Sequence, residues 1–167
     1  CKIKQMLKLP GDAIRVLVEG IQRAEVELIT EEEPYFRVEV KTYLDSLEID
    51  KETRALMISA ISAFEKYIAI SNRVSPDVIL SVSAIDEPGR LSDIIAAQIT
   101  LKTEQKQELI NAIDVKERLE HLLKILLTEI EILEVEKNIN DKVKNQINKS
   151  QKEYYLREQM KAIRDEL

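Results

Sequence analysis

A chain of 167 residues is long enough for one domain, or two small ones, with a genuine apolar core. Apolar residues make up 44% and charged residues 34%, a balance that fits an ordered, charge-coated protein and speaks against disorder. The net charge of −6 argues against general nucleic-acid binding, and the single cysteine, Cys1, excludes an internal disulfide.

No apolar run is long enough to span a bilayer, and no charged-then-apolar secretory leader is present. With one cysteine, the expected setting is a reduced cytoplasm. The charge is uneven: residues 137–167 carry eight basic and five acidic side chains, so a nucleic-acid option survives only in that basic tail. The chain opens Cys1-Lys2-Ile3-Lys4 with its pattern already under way. This predicts a segment of a longer protein with further strands upstream of Cys1.

The first third reads as antiparallel β. Ile3, Leu7 and Leu9 share one side of a period-2 pattern. Leu9-Pro10-Gly11-Asp12 is turn chemistry. Ile14, Val16 and Val18 alternate with Arg15, Leu17 and Glu19. Gly20 predicts a bulge or bend within that strand, which Val26 and Leu28 resume. Glu31-Glu32-Glu33-Pro34 reads as an exposed loop. Tyr35 to Leu44 reads as a third strand, with Phe36, Val38 and Val40 on one face. Three strands make a thin, marginal sheet.

The period then changes to 3.6. Asp50 is a cap for a helix carrying Met57, Ile61, Phe64 and Ile68. Ser75-Pro76 opens a short helix through Ile79, Val82 and Ile85. Asp86-Glu87-Pro88-Gly89 reads as a turn, followed by a helix over 90–99 with Leu91, Ile94, Ile95 and Ile99 apolar. Thr103-Glu104 starts another that ends near Ile113. Asp114 with Glu117 behind it resembles a capping box. From there neither Gly nor Pro interrupts the chain. Val115, Leu119, Leu122, Leu126, Ile130 and Leu133 form one stripe. Ile139, Val143, Ile147 and Tyr154 extend it sparsely, and Leu156, Met160, Ile163 and Leu167 continue on a shifted face. Such a helix is roughly 80 Å long at ~1.5 Å per residue, more than a domain this small can cover.

Catalytic motifs are absent from the sequence. Gly11, Gly20 and Gly89 stand too far apart for a phosphate loop, and no Gly-x-Ser-x-Gly elbow occurs. His121 is the only histidine, which excludes a Ser-His-Asp triad or a multi-histidine metal site, and it reads as a helix-surface residue. Lys149 and Ser150 are adjacent on a helix, so their side chains diverge. Glu31–Glu33 and Glu129, Glu131, Glu134 and Glu136 read as solvated acidic faces, since metal binding needs convergence. Tyr154 and Tyr155 among Lys152, Arg157 and Lys161 could stack on bases, but helix packing is the simpler role.

Four blocks, in order, resemble the N-terminal domain of the Lon protease family. They are residues 8–11 with 16–24 (Lys8-Leu9-Pro10-Gly11 and Val16-Leu17-Val18-Glu19-Gly20-Ile21-Gln22-Arg23-Ala24); Glu87-Pro88-Gly89-Arg90-Leu91-Ser92-Asp93-Ile94-Ile95-Ala96; Asp114-Val115-Lys116-Glu117-Arg118-Leu119; and residues 151–163, which include Tyr154-Tyr155-Leu156-Arg157-Glu158-Gln159-Met160. The spelling is closest to the family's low-GC Gram-positive members. The resemblance implies an α+β fold: an incomplete PUA-like antiparallel sheet over 1–45, a helical subdomain over 46–113, and one very long helix over 114–167 leading toward an AAA+ module. It implies a homo-hexameric, ATP-dependent cytoplasmic serine protease that degrades misfolded and regulatory proteins. In such a parent this segment serves substrate recognition and assembly. ATP and Mg²⁺ belong to the parent; no cofactor, metal or catalytic residue is expected here, and the family's Ser-Lys dyad lies outside these residues.

Within that frame, Tyr35, Phe36 and Val38 are the candidate contacts for unfolded or degron-bearing substrates, with core packing as their competing fate. Ile139, Val143, Ile147, Tyr154 and Tyr155 are the candidates for coupling to neighbouring subunits and the ATPase ring. No membrane partner is expected, and nucleic acid is disfavoured. The competing function is a stand-alone interaction module of the same fold without protease activity.

Overall fold

The computed structural model describes residues 1–45, 49–71 and 74–166. The expected boundary at residue 46 and the Leu167 end of the stripe lie outside the described residues.

The β part holds four strands: β1 (Lys2–Lys8), β2 (Ile14–Glu19), β3 (Arg23–Glu31) and β4 (Arg37–Tyr43). They form two separate antiparallel hairpins, β1 with β2 and β3 with β4. The sequence predicts three strands; the difference lies at Gly20. That residue does not bulge a continuous strand. It opens a three-residue link, 20–22, between the hairpins. The ladder irregularities fall elsewhere, between Ile3 and Gln5, Val26 and Leu28, and Ile29 and Glu31. The first turn forms as expected. Gly11 at φ 84° and Asp12 at φ 60° occupy the left-handed region, which Gly adopts freely and Asp tolerates. The Leu9 N–H donates to the Ala13 carbonyl across it at 2.8 Å.

The helical part comprises α1 (Lys51–Ser71), α2 (Val78–Ser83), α3 (Pro88–Gln98), α4 (Thr103–Asn111) and α5 (Val115–Glu166). Asp50 caps α1 as expected: the Thr53 N–H and hydroxyl donate to its Oδ1 at 2.8 and 2.7 Å. Asp114 likewise accepts the Lys116 and Glu117 N–H groups at 2.9 and 3.0 Å. Two expectations shift. Ser75-Pro76 precedes α2 instead of starting it, and the Ser75 hydroxyl turns to the Asp77 carboxylate at 3.4 Å. Pro88 and Gly89 are not a turn. They are the first residues of α3, where proline's missing N–H costs nothing.

The core lies between α1, α3 and α5. Thr53, Met57, Ala60, Phe64 and Tyr67 follow each other at alternating spacings of four and three and are all buried. Leu119, Leu122, Leu126 and Ile130 of α5 face them, and Leu91 and Ile95 of α3 close the third side. Salt bridges mark the direction of packing. Lys116 meets Asp50 and Glu52 near the start of both helices, and Lys66 meets Glu134 at 3.0 Å farther along. Both pairs advance the same way, so α1 and α5 run parallel, and α2, α3 and α4 carry the chain back. The α5 rod has 52 residues, about 78 Å at ~1.5 Å per residue. Its buried positions end at Ile130; beyond Leu133 every described residue is exposed.

Candidate functional site

Three features set this molecule apart from a closed globule: an exposed hairpin, an uncovered rod, and an ionic cluster between them. Nearly every residue of the four strands is exposed, on both faces. The apolar members include Ile3, Met6, Ile14, Val26, Leu28 and Val40. A two-layer sheet would bury one such set against a second layer.

The predicted contact residues sit at the far end of the second hairpin. Tyr35 and Phe36 precede β4 in the bend instead of lying within it. Val38 pairs with Ile29 across the ladder. Within these 167 residues Phe36 is 70% exposed, and Tyr35 and Val38 are exposed too. Arg37 holds Tyr35 in place. Its guanidinium lies 5.6 Å from the ring centroid and donates to the phenol oxygen at 3.1 Å. Arg37 also pairs with Glu31 at 3.4 Å.

The five coupling candidates, Ile139, Val143, Ile147, Tyr154 and Tyr155, all lie on the distal rod and are all at least half exposed. Val38 lies in the β3–β4 ladder, with Tyr35 and Phe36 just before β4, whereas the described residues of α5 beyond Leu133 are all exposed. His121 is exposed on α5, as its surface reading expects.

Between hairpin and rod lies a cluster that sequence reading missed. Arg118, in the first turn of α5, is wholly buried. Its Nη1 and Nη2 donate to the two Asp45 carboxylate oxygens at 3.0 and 2.9 Å. Its Nε donates to the Ala112 carbonyl at 2.9 Å and Nη2 again to the Ile113 carbonyl at 3.1 Å. The planar fork thus meets carboxylate geometry on one side and closes the α4–α5 corner on the other. Arg23, at the base of β3, donates to both Asp93 oxygens at 3.0 and 2.6 Å and to the Ile110 carbonyl at 3.2 Å. Its Nη1 also reaches 4.0 Å from Asp45. The Arg118 hydrogen bonds hold the Asp45 carboxyl below the usual carboxylate range, against the opposite pull of burial. One signal was available: Arg118 stands three residues after Val115 and four before Leu122, on the apolar stripe. A cation on a core-facing stripe demands an acidic partner.

A second cluster ties the starts of α1 and α5. Lys116 Nζ donates to Asp50 at 2.5 Å and to Glu52 at 2.9 Å. These bonds drive the Asp50 carboxyl far down and the Lys116 ammonium far up from their ordinary values. Among the described residues no three histidine, cysteine or carboxylate side chains converge on a point that could hold a metal ion. No described helix is long and apolar enough to cross a membrane.

Residues 1–128 match the family described as the ATP-dependent protease La (LON) substrate-binding domain. The chain is 51% identical, over its whole length, to the Lon protease of Clostridioides difficile, and covers 22% of that protein. It is 47% identical to the Lon protease of Escherichia coli over 99% of the chain, covering 21% of that relative. The chain thus spans about a fifth of the curated relatives it matches. Its fold matches a solved structure, the N-terminal domain of Mycobacterium avium complex Lon protease, with a TM-score of 0.61 and 24% identity. That match covers 78% of this chain and 67% of the other.

Proposed function

The chain belongs to the family of Lon protease substrate-binding domains, and from that premise we propose that it captures protein substrates and couples them to protease machinery carried by the rest of a longer polypeptide. The observation that carries this reading is α5, a helix of 52 residues buried only as far as Ile130. A helix whose distal half finds no cover in its own globule, yet keeps an apolar series from Val135 to Ile163, is built to pack against something else.

In this reading the chain divides into a β part over 1–45, a helical part over 46–113 and the rod over 114–167. Tyr35, Phe36 and Val38 offer apolar contact to unfolded or degron-bearing segments. Ile139, Val143, Ile147, Tyr154 and Tyr155 pack against neighbouring subunits or the ATPase ring of a cytoplasmic homo-hexamer. The parent is an ATP-dependent serine protease of the AAA+ class, using ATP and Mg²⁺. The 167 residues contain no phosphate loop and no converging donor set among those described, so no step of nucleotide or peptide-bond chemistry is assigned to them.

Two experiments on the full-length enzyme test the proposal. Phe36→Asp should weaken binding of an unfolded model protein several-fold with the fold intact; unchanged binding removes this contact site. Lys144→Pro breaks the helical ladder mid-rod. It should leave substrate binding near normal while degradation falls. Degradation at the unaltered rate would sink the coupling role.

A further inference from the structure

The second hairpin meets the helices at one end, and the arginine–aspartate cluster sits at that end. Arg23 opens β3, and its ladder partner Tyr43 closes β4 two residues before Asp45. At this base the strands meet α3 through Asp93 and α5 through Arg118. At the other end the ladder stops at Glu31 and Arg37, beside Tyr35 and Phe36. Nine residues of β3 place the tip roughly 26 Å from the base. No strand side chain contributes to the helical core. Among the described residues, the side-chain bonds between this hairpin and the helices are polar and lie at its base.

The two ion pairs are unequal. Asp45–Arg118 is the inner one, with Arg118 at 0% exposure and further anchored by two carbonyls. Arg23–Asp93 is the outer one, with the Asp93 side chain half in solvent. The Arg23 side chain itself is only 14% exposed, so parting this pair has a cost, but water reaches Asp93 and can take its place there. Water cannot readily reach Arg118, and separating it from Asp45 would strand a buried charge. Of the two, the outer pair is the less costly to part.

We propose that this cluster is a two-stage hinge, in which Asp45–Arg118 is the pivot and Arg23–Asp93 the catch that fixes the hairpin's angle to the rod. With the catch open, the hairpin swings about the pivot while the helical core stays intact. A swing of about 10° moves the tip by about 4.5 Å, enough to change what Tyr35 and Phe36 can reach. The device does not depend on what the tip binds.

The test is a distance measurement by pulsed electron spin resonance on the full-length protein. Spin labels go on exposed Glu39 and Lys124, with other cysteines replaced and labelled chains diluted into unlabelled ones. The unaltered hinge should give one narrow distance distribution. Arg23→Gln should broaden it by roughly twofold, and Arg118→Met should broaden it further. A control pair on Lys66 and Lys124, both exposed on the packed helices α1 and α5, should stay narrow in both variants. If Arg118→Met loses the control distance by unfolding, Arg23→Gln alone decides. An Arg23→Gln distribution as narrow as the parent's overturns the hinge.

Discussion

The Asp45 carboxylate occupies the space that a Cβ on residue 89 would need, so Gly89 is what lets Asp45 reach Arg118. The carboxylate cannot simply step aside, because Arg118 holds both its oxygens. Gly89→Ala should therefore destabilise the protein by about 1–3 kcal/mol, although alanine favours a helix over glycine. The two effects separate in a double mutant. In an Asp45→Ala background the clash is gone, and Gly89→Ala should be neutral or slightly stabilising. Urea midpoints of the four proteins measure this coupling; additive changes would show that Gly89 serves another purpose.

Acid should loosen the hinge. The folded-state pKa of Asp45 lies below its unfolded value, chiefly through the Arg118 hydrogen bonds. A depressed carboxyl contributes stability that is present above the unfolded pKa, about 3.9, and is lost as pH falls through the folded value. Asp50 adds to the same acid limb, through its bonds to Lys116 and then Thr53. Lys116 works in the opposite direction. Its raised pKa contributes stability present below about 10.4 and lost as pH climbs through the folded value. The plateau of these contributions runs from about pH 5 to pH 9. Denaturant midpoints from pH 7 to pH 3 should fall for the parent and fall less steeply for Asp45→Asn. Equal slopes would remove Asp45 from the account.

Legibility in the sequence followed the range of the interactions. The caps Asp50 and Asp114 were readable because cap and recipient N–H lie within three residues of each other. The α1 and α5 stripes were readable because burial repeats with the helical period. The strand count was not, since residues 20–22 between two apolar runs look like an interrupted strand. Pro88-Gly89 misled for a related reason: the pair punctuates turns as readily as it starts helices. The glycine there answers to Asp45, which no local rule can see. The hinge itself joins residues 70 and 73 positions apart, so only Arg118's place on an apolar stripe hinted at it.

The rod predicts an asymmetry in its own mutational profile. Leu122 is fully buried against the core, whereas Val143 lies 52% exposed beyond it. Leu122→Ala should cost about 2–5 kcal/mol by lost burial and cavity formation. Val143→Ala on the isolated 167-residue chain should stay within about 0.5 kcal/mol. In the full-length assembly the same Val143→Ala should become costly if the distal rod packs against a neighbour. Thermal or denaturant melts of both forms read this directly. Indifference to Val143 in the assembly would mean that its face stays wet there too.

Asp50 and Asp114 both cap helices, yet they should respond differently to the same conservative change. Among the described residues, the Asp114 carboxylate accepts from two N–H groups of its own helix. Asparagine caps about as well as aspartate, so Asp114→Asn should be nearly silent, while Asp114→Ala should cost about 1 kcal/mol. Asp50 accepts from Thr53 through one oxygen and from Lys116 through the other. An asparagine there keeps the cap but loses the charge that draws Lys116 across from α5. Asp50→Asn should therefore be measurably destabilising, and added salt should narrow its gap from the parent as it screens the exposed pair. The contrast between the two asparagine variants isolates the tie between the helices from the capping common to both. If Asp50→Asn proved as silent as Asp114→Asn, the parallel pairing of α1 and α5 would rest on their apolar seam alone.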